Sequence, residues 1–482
     1  MSSKPSLRAK PTTFGQPLAY SHPHLVKRNE LTPGIPREDY MDRRRRLMDR
    51  LPPGSIVVCL GAPIKYMSAS TYRYRPDSDL WYLTGFEEPD VALILEKKSS
   101  SRGYWMTLFC AGERSESQGR WDGARTSFEQ SKLMFDVDDV QSITKFPSAL
   151  KSRYSAASYI YTEAQIPKKS VGSRLFDKYM PRMDHLPGDF VTALGRVLDV
   201  IPVSKVRQLA PQIMPLRAIK SLSEQAVMRR AGQISGRAHA KVMRFTEEGL
   251  SEADIEAHFE YICRRAGAQR LAYVPVVGSG PNGCIIHYTS NNQLVKNGEL
   301  VTIDAACEYN GYASDITRSY PVSGEFTPPQ RDIYSAVLAA QRQLIAECDL
   351  SLGNSLQDLH ARSCDLLRQE LNQLPGFNLS KSDLTRHLYP HYLSHPLGID
   401  LHESQCFDRA ARLQEGIVIT IEPGVYVPPT SRFPKHYHNI GIRIEDMVLI
   451  TQSGPVVLSA EAPKEIVDVE GACQGILGLE AF

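Results

Sequence analysis

Leu300-Val301-Thr302-Ile303-Asp304-Ala305-Ala306-Cys307-Glu308-Tyr309-Asn310-Gly311-Tyr312-Ala313-Ser314-Asp315-Ile316-Thr317-Arg318-Ser319 decides how the second half of the chain is read. Two largely apolar runs flank Asn310-Gly311, a pair suited to the positive backbone angles of a type I′ turn, so the stretch predicts a β-hairpin. With those two residues as the loop, Asp304 faces Thr317 and Asp315 faces Ala306. Both aspartates then share one face as diagonal neighbours, roughly 7–8 Å apart at the backbone and able to meet at their tips. Two carboxylates in an apolar hairpin repel each other and lose hydration unless a cation lies between them. The competing reading is a pair of exposed strand aspartates.

A second pair of acids lies downstream. Ile417, Ile419 and Ile421 alternate along a strand that stops at Glu422-Pro423-Gly424, which puts Glu422 on the opposite face. Ile440, Ile442 and Ile444 repeat the alternation and send Arg443 and Glu445 together to the other side, where an Arg443–Glu445 salt bridge is the plainer reading. His391, His395 and His402 follow one another closely, and neutral imidazole is a common metal ligand. His391 and His395 have the spacing of a zinc-protease helix, yet no Glu follows His391 and Pro396 disfavours a helix at His395. An extended or looped segment is expected. Four carboxylates and one imidazole make a largely hard-oxygen, two-metal site, which favours Mn2+ over thiolate-seeking metals.

Gly278, Gly280 and Gly283 match the spacing of a dinucleotide-binding loop. The stretch 284–289 that follows is β-like where that fingerprint needs a helix start, so a loop presenting His287 is the better reading.

The whole chain has 482 residues, room for two to four domains at about 150 residues each. Its 56 Lys and Arg against 54 Asp and Glu leave a net charge of +2, so no global field draws it to a polyanion, and nucleic acid is not expected as a partner. Nine scattered cysteines without a C-x-x-C pair point to a reducing compartment. Without a long apolar run, no membrane span is expected.

Residues 1–29 form an acid-free basic tail or residual targeting segment, although Pro5, Pro11, Pro17 and Pro23 break any amphipathic helix there. A helix over 38–51, with 43–46 as its solvated basic face, and strands near 55–60, 91–95 and 106–110 predict an α/β first domain over 30–205. The segment 202–220, with Pro202, Pro211 and Pro215, lacks clear periodicity and holds the boundary. The second domain, 214–482, reads as α+β. Its helices open at the capping box Ser221/Glu224 and at Ser251, and two more cover 332–348 and 355–374. Strands fall near 272–288, 299–321, 416–422 and 440–450.

The ordered motifs Val301-Thr302-Ile303-Asp304-Ala305-Ala306, Ser314-Asp315-Ile316-Thr317-Arg318, His395-Pro396-Leu397-Gly398, Glu422-Pro423-Gly424 and Arg443-Ile444-Glu445-Asp446 resemble the metallopeptidases of the aminopeptidase P, methionine aminopeptidase and prolidase group. The resemblance implies a pita-bread C-terminal catalytic domain after a smaller α/β domain of the creatinase and aminopeptidase P type. Leu31-Thr32-Pro33-Gly34 and Asp79-Leu80-Trp81-Tyr82-Leu83-Thr84-Gly85-Phe86 are similar to aminopeptidase P rather than methionine aminopeptidase, which lacks that first domain. Met228-Arg229-Arg230-Ala231-Gly232-Gln233-Ile234-Ser235-Gly236-Arg237 resembles the fungal mitochondrial intermediate-cleaving branch, which trims one residue from imported proteins after presequence removal.

Carried over by resemblance, Asp304 would bind one metal, His395 and Glu422 the other, and Asp315 and Glu445 would bridge or share them. Glu422 would accept a proton from the attacking water. His287 and His402 would bond the scissile amide or tetrahedral oxygen, His391 would line the leaving-residue side, and Arg443 would orient carboxylates or substrate. The implied cofactors are two divalent ions, Mn2+ foremost, with Zn2+, Co2+ or Fe2+ as alternatives. The implied substrates are peptide or protein N-termini, either bulky (Tyr, Leu, Phe) or preceding Pro, handled by a mitochondrial homodimer, with nucleus and cytosol as other locations. A metal-free pita-bread binding module is the third reading. Two departures, Ala306 for a frequent Gly and Ser394 with Pro396 around His395, bear on the shape of the pocket.

Overall fold

The computed structural model describes residues 15–68, 70–163, 197, 201–403 and 406–477. Two compact units divide the chain, Met1–Leu216 and Arg217–Phe482. Residues 1–14 of the basic tail lie outside the described residues, and over 15–29 the chain makes turns without a helix. Among the described residues no helix is long and apolar enough to cross a membrane.

In the first unit, β1 (Ser55–Leu60), β2 (Ala92–Lys97), β3 (Tyr104–Cys110), β4 (Asp139–Ser142), β5 (Tyr159–Thr162) and β6 (Val206–Gln208) build a mixed sheet in the order β6-β5-β1-β2-β3-β4. Val57, Leu93, Ile94, Leu95 and Leu108 are buried on both of its faces, which explains their unbroken apolar runs. The stretch 202–220 is not irregular: it supplies β6 and a helix, Ala210–Ala218.

Helix α1 (Arg37–Arg50) corrects the expectation of a solvated basic face, because Arg43 and Arg44 are buried. They meet the end of α2 (Ser78–Thr84), where Arg43 Nη1 donates to Tyr82 O at 3.2 Å and Arg44 Nη1 to Leu83 O at 2.8 Å. The last carbonyls of a helix lack partners within it, and guanidinium groups satisfy them while the helix dipole favours the positive charge.

The second unit is α+β. Helices α3 (Leu222–Phe245) and α4 (Glu252–Arg265) start at the expected boxes: Ser221 Oγ accepts from Glu224 N–H at 3.2 Å while Glu224 Oε2 accepts from Ser221 N–H at 2.8 Å. Helices α5 (Pro328–Ala346), α6 (Leu356–Leu371) and α7 (Ile466–Gln474) complete the layer. Ile234, Phe259, Val337 and Leu367 from these helices share one core with Val301, Ile303, Ile419 and Ile442 from the strands.

The decisive hairpin forms with the expected turn, Asn310 at φ 50° and Gly311 at φ 84°. Its ladder, however, is broken in the middle. β9 (Leu300–Asp304) and β12 (Thr317–Pro321) pair beside β8 (Val276–Ser279), whereas β10 (Cys307–Tyr309) and β11 (Tyr312–Ala313) pair beside β7 (Arg270–Leu271). Register is unchanged across the gap, since Asp304 faces Thr317 and Tyr309 faces Tyr312. The second hairpin repeats the design: β13 (Val418–Ile421) pairs with β16 (Asp446–Thr451), itself flanked by β17 (Gly454–Val457), while β14 (Gly424–Tyr426) pairs with β15 (Gly441–Arg443). Ile421 faces Asp446 and Gly424 faces Arg443, which leaves Glu422 opposite Glu445 in the gap. Two ladder donors are missing at the interruptions: Cys307 N–H goes to Ser235 Oγ at 3.0 Å and Pro423 has none to give, while Ala305 N–H still reaches Ile316 O at 3.2 Å and Ile444 N–H reaches Pro423 O at 3.3 Å.

The region 272–288 is not one strand. After β8 the chain makes a tight helical turn, Gly280–Cys284, and a loop. A side chain on Gly278 would press on the Asn282 backbone at 2.8 Å, and one on Gly441 would collide with Gly283, so two of these glycines mark close backbone approaches.

Candidate active site

Each broken ladder delivers its acids to one cavity of about 740 Å³. Asp304, Asp315, Glu422 and Glu445 line it together with His287, His391, His395, His402 and Arg443. The Tyr273 hydroxyl lies 2.5 Å from Asp304 Oδ1 and 2.7 Å from Asp315 Oδ1, so the two aspartates do converge at their tips. One oxygen each from Asp315 and Glu445 and a nitrogen of His395 all fall within 4.8 Å of one another. Glu422 Oε1 stands 3.7 Å from His395 Nε2, which is 3.3 Å from Asp315 Oδ2.

His395 sits on an extended segment, as Pro396 predicts. Glu422 N–H donates to Leu393 O at 3.0 Å, Thr420 N–H to His395 O at 3.0 Å and Leu397 N–H to Val418 O at 2.9 Å, so 393–397 runs along the edge of β13. His395 Nδ1 lies 3.1 Å from Pro396 O; donating there, it fixes the ring with Nε2 facing the acids. His402 crosses the His395 ring edge-on with centroids 4.4 Å apart.

Arg443 does not pair with Glu445. Its Nη2 donates to Asp304 Oδ2 at 2.7 Å, its Nε to Thr317 Oγ1 at 3.0 Å and its Nη1 to Tyr426 OH at 2.6 Å, while Thr317 Oγ1 donates to Glu445 Oε2 at 2.7 Å. The relay continues from Tyr426 OH to His391 Nε2 at 3.0 Å and from His391 Nδ1 to Tyr392 O at 3.0 Å. Burial, then Arg443, holds the His391 imidazole down to about 3, so it is neutral and both nitrogens are engaged.

The acids themselves are under electrostatic load. Burial and neighbouring carboxylates push Glu445 and Asp315 above the usual carboxylate range and Glu422 up to about 8. Burial disfavours the His395 cation, but Asp315 and Glu422 outweigh it and carry that imidazole up to about 9. Such an excess of buried negative charge, ringed by oxygen donors and one imidazole, fits divalent cations.

Tyr273 and Tyr426, which join these groups, carry no spacing signal in the sequence. Thr317 does, because register places it opposite Asp304.

Residues 226–452 match metallopeptidase family M24, and residues 40–161 match the aminopeptidase P N-terminal domain. The chain is 36% identical over 470 residues to Intermediate cleaving peptidase 55 of Saccharomyces cerevisiae, covering 96% of this chain and 89% of that relative. It belongs to metallopeptidase family M24. This M24 peptidase is also 34% identical to Xaa-Pro aminopeptidase 3 of Homo sapiens, over 97% of this chain and 92% of the relative. A crystal structure of Icp55 from Saccharomyces cerevisiae superposes with a TM-score of 0.80 at 34% identity, covering 93% of this chain and 99% of that one. Aminopeptidase P from E. coli gives 0.80 at 31% identity, covering 92% and 100%. The chain is therefore a metallo-aminopeptidase with an aminopeptidase P type first domain, and its family works with divalent metal ions.

Proposed function

We propose that this M24 peptidase removes a single N-terminal residue, bulky ones such as Tyr, Leu or Phe, from imported mitochondrial proteins after presequence cleavage, acting as a homodimer with two Mn2+ ions. The convergence of five metal-compatible side chains on one cavity, in a chain similar over 96% of its length to an intermediate-cleaving peptidase, carries the reading. Val274, Val276, Ile286, Leu401 and Phe407 give the cavity apolar walls suited to a bulky side chain.

Asp304, Asp315, His395, Glu422 and Glu445 would hold the ions, which supply Lewis acidity for the scissile carbonyl and acidify the attacking water. Glu422 takes the proton from that water and passes it to the leaving nitrogen. Arg443 fixes Asp304 and, through Thr317, Glu445. His287 and His402 donate to the scissile amide or the tetrahedral oxygen. His391, neutral and braced between Tyr426 and Tyr392, forms the wall beside the leaving residue.

The likeness to Xaa-Pro aminopeptidase 3 favours a second reading, removal of a residue before proline. A side-by-side assay of Tyr-initiated and Xaa-Pro peptides with Mn2+, with and without chelator, tests both. Cleavage of Tyr-initiated peptides that chelator abolishes is expected; cleavage confined to Xaa-Pro peptides rejects the first reading.

A further inference from the structure

Ser279 and Asn282 of the glycine-spaced loop at 278–283 turn toward an anion of the same chain, the carboxylate of Glu252. Glu252 opens α4 and is fully buried. Its Oε1 accepts from Ser279 N–H and Ser279 Oγ at 2.8 Å each and from Asn282 Nδ2 at 3.0 Å. Its Oε2 accepts from Tyr288 OH at 2.8 Å and from Gln293 N–H at 3.0 Å, and its own N–H returns a bond to Gln293 O at 2.9 Å. One turn along α4, Glu256 Oε2 accepts from Asn291 Nδ2 at 2.8 Å, and Asn291 Oδ1 accepts from Val277 N–H at 3.0 Å.

All of these donors lie on one stretch of chain, and that stretch carries Ile286, His287 and Thr289 into the cavity. Tyr288, tied to Glu252 by its hydroxyl, is the next residue after His287. Glu252 itself is not part of the cavity lining. Bonds from several donors to one ionised carboxylate are the strong kind. Burial pushes the Glu252 carboxyl up, and these bonds outweigh it and keep it below the ordinary range.

We propose that Glu252 is the positioning residue for His287, holding the 279–293 loop in the conformation that presents the imidazole to the scissile bond. The inference rests on the role given to His287 above. Without the carboxylate the loop keeps its composition and loses the anchor that fixes Tyr288 and both ends of the segment.

The test is a double-mutant cycle on the metal-loaded full chain, with Glu252→Gln, His287→Ala and their combination, reading kcat, KM and bound metal per chain. Glu252→Gln is expected to lower kcat by about 10- to 100-fold with KM and metal content unchanged. On the His287→Ala background it should cost less than about twofold more, because the two residues act as one unit. An equal fold loss with and without His287, or wild-type kcat in Glu252→Gln, overturns the proposal. Should Glu252→Gln fail to fold, Tyr288→Phe, which deletes one bond, enters the same cycle under the same criteria. Wild-type kcat in His287→Ala alone removes the role of His287 and the proposal with it. Absence of any metal-dependent cleavage by the wild-type chain is a separate result that rejects the peptidase reading itself.

Discussion

Glu445 and Asp446 are adjacent, both buried, and opposite in character. Asp446 accepts from Arg318 Nη2, Ser459 Oγ and Gln341 Nε2 at 2.7 Å each and from Lys464 Nζ at 2.6 Å. Burial would raise its carboxyl, but Arg318 and Lys464 prevail and hold it well below the usual range. Glu445, on the other side of the strand, faces Asp315, Glu422 and Asp304 and is pushed well up. The chain neutralises the acid that serves the fold, whereas in the cavity Arg443 meets Asp304 and leaves Glu422 and Glu445 for a bound cation.

Glu422→Ala should break one half of this contrast most strongly, lowering kcat by about 10²- to 10⁴-fold in an assay on a Tyr-initiated peptide while the thermal midpoint stays at or above that of the metal-free wild type. Asp446→Asn should do the reverse. It strands Arg318 beside Lys464 and is expected to cost about 3–5 kcal/mol in urea unfolding, with kcat per folded molecule retained. Mn2+ supplied at about 100 times its Kd should stabilise the wild type by about 2.7 kcal/mol for each ion bound, read in a thermal-shift titration, and leave Asp315→Ala unmoved.

A third buried group sharpens the comparison. His239, fully buried on α3 and hydrogen-bonded to Ala305 O at 2.9 Å, is held down to about 3 from 6.5, first by burial and then by Arg318. A base whose folded value lies below its unfolded one stabilises fully above 6.5 and loses that contribution as pH falls from 6.5 toward about 3. Between pH 7.5 and pH 5, wild type should lose about 2 kcal/mol more than His239→Gln in paired urea titrations.

Alternation and turn chemistry made much of this legible. Asn310-Gly311 fixed the register that sets Asp304 against Thr317, and the boxes at Ser221 and Ser251 marked two helix starts. What stayed hidden depends on partners distant along the chain. The first ladder is interrupted where Cys307 N–H finds Ser235 Oγ, and the outward-facing Ala313 N–H and Glu445 N–H find Gly398 O and Thr317 O, pairings that no local pattern encodes. Arg43 and Arg44 read as surface charge because helical spacing does not reveal that a neighbouring helix ends beside them. Tyr273 and Tyr426 are ordinary core-type residues until Asp304 and Asp315 meet the one hydroxyl and Arg443 and His391 the other. The glycine spacing was ambiguous in another way, since glycines that permit close backbone approaches read the same as glycines that cradle a ligand.

The Glu252 carboxylate also couples distant amides. With Ser279 N–H on one of its oxygens and Gln293 N–H on the other, loss of this single anchor frees both backbone amides at once, and their protons are expected to exchange with solvent together. The wall of the cavity that carries His287 is thereby tied to the first turn of α4, a helix end outside the cavity lining.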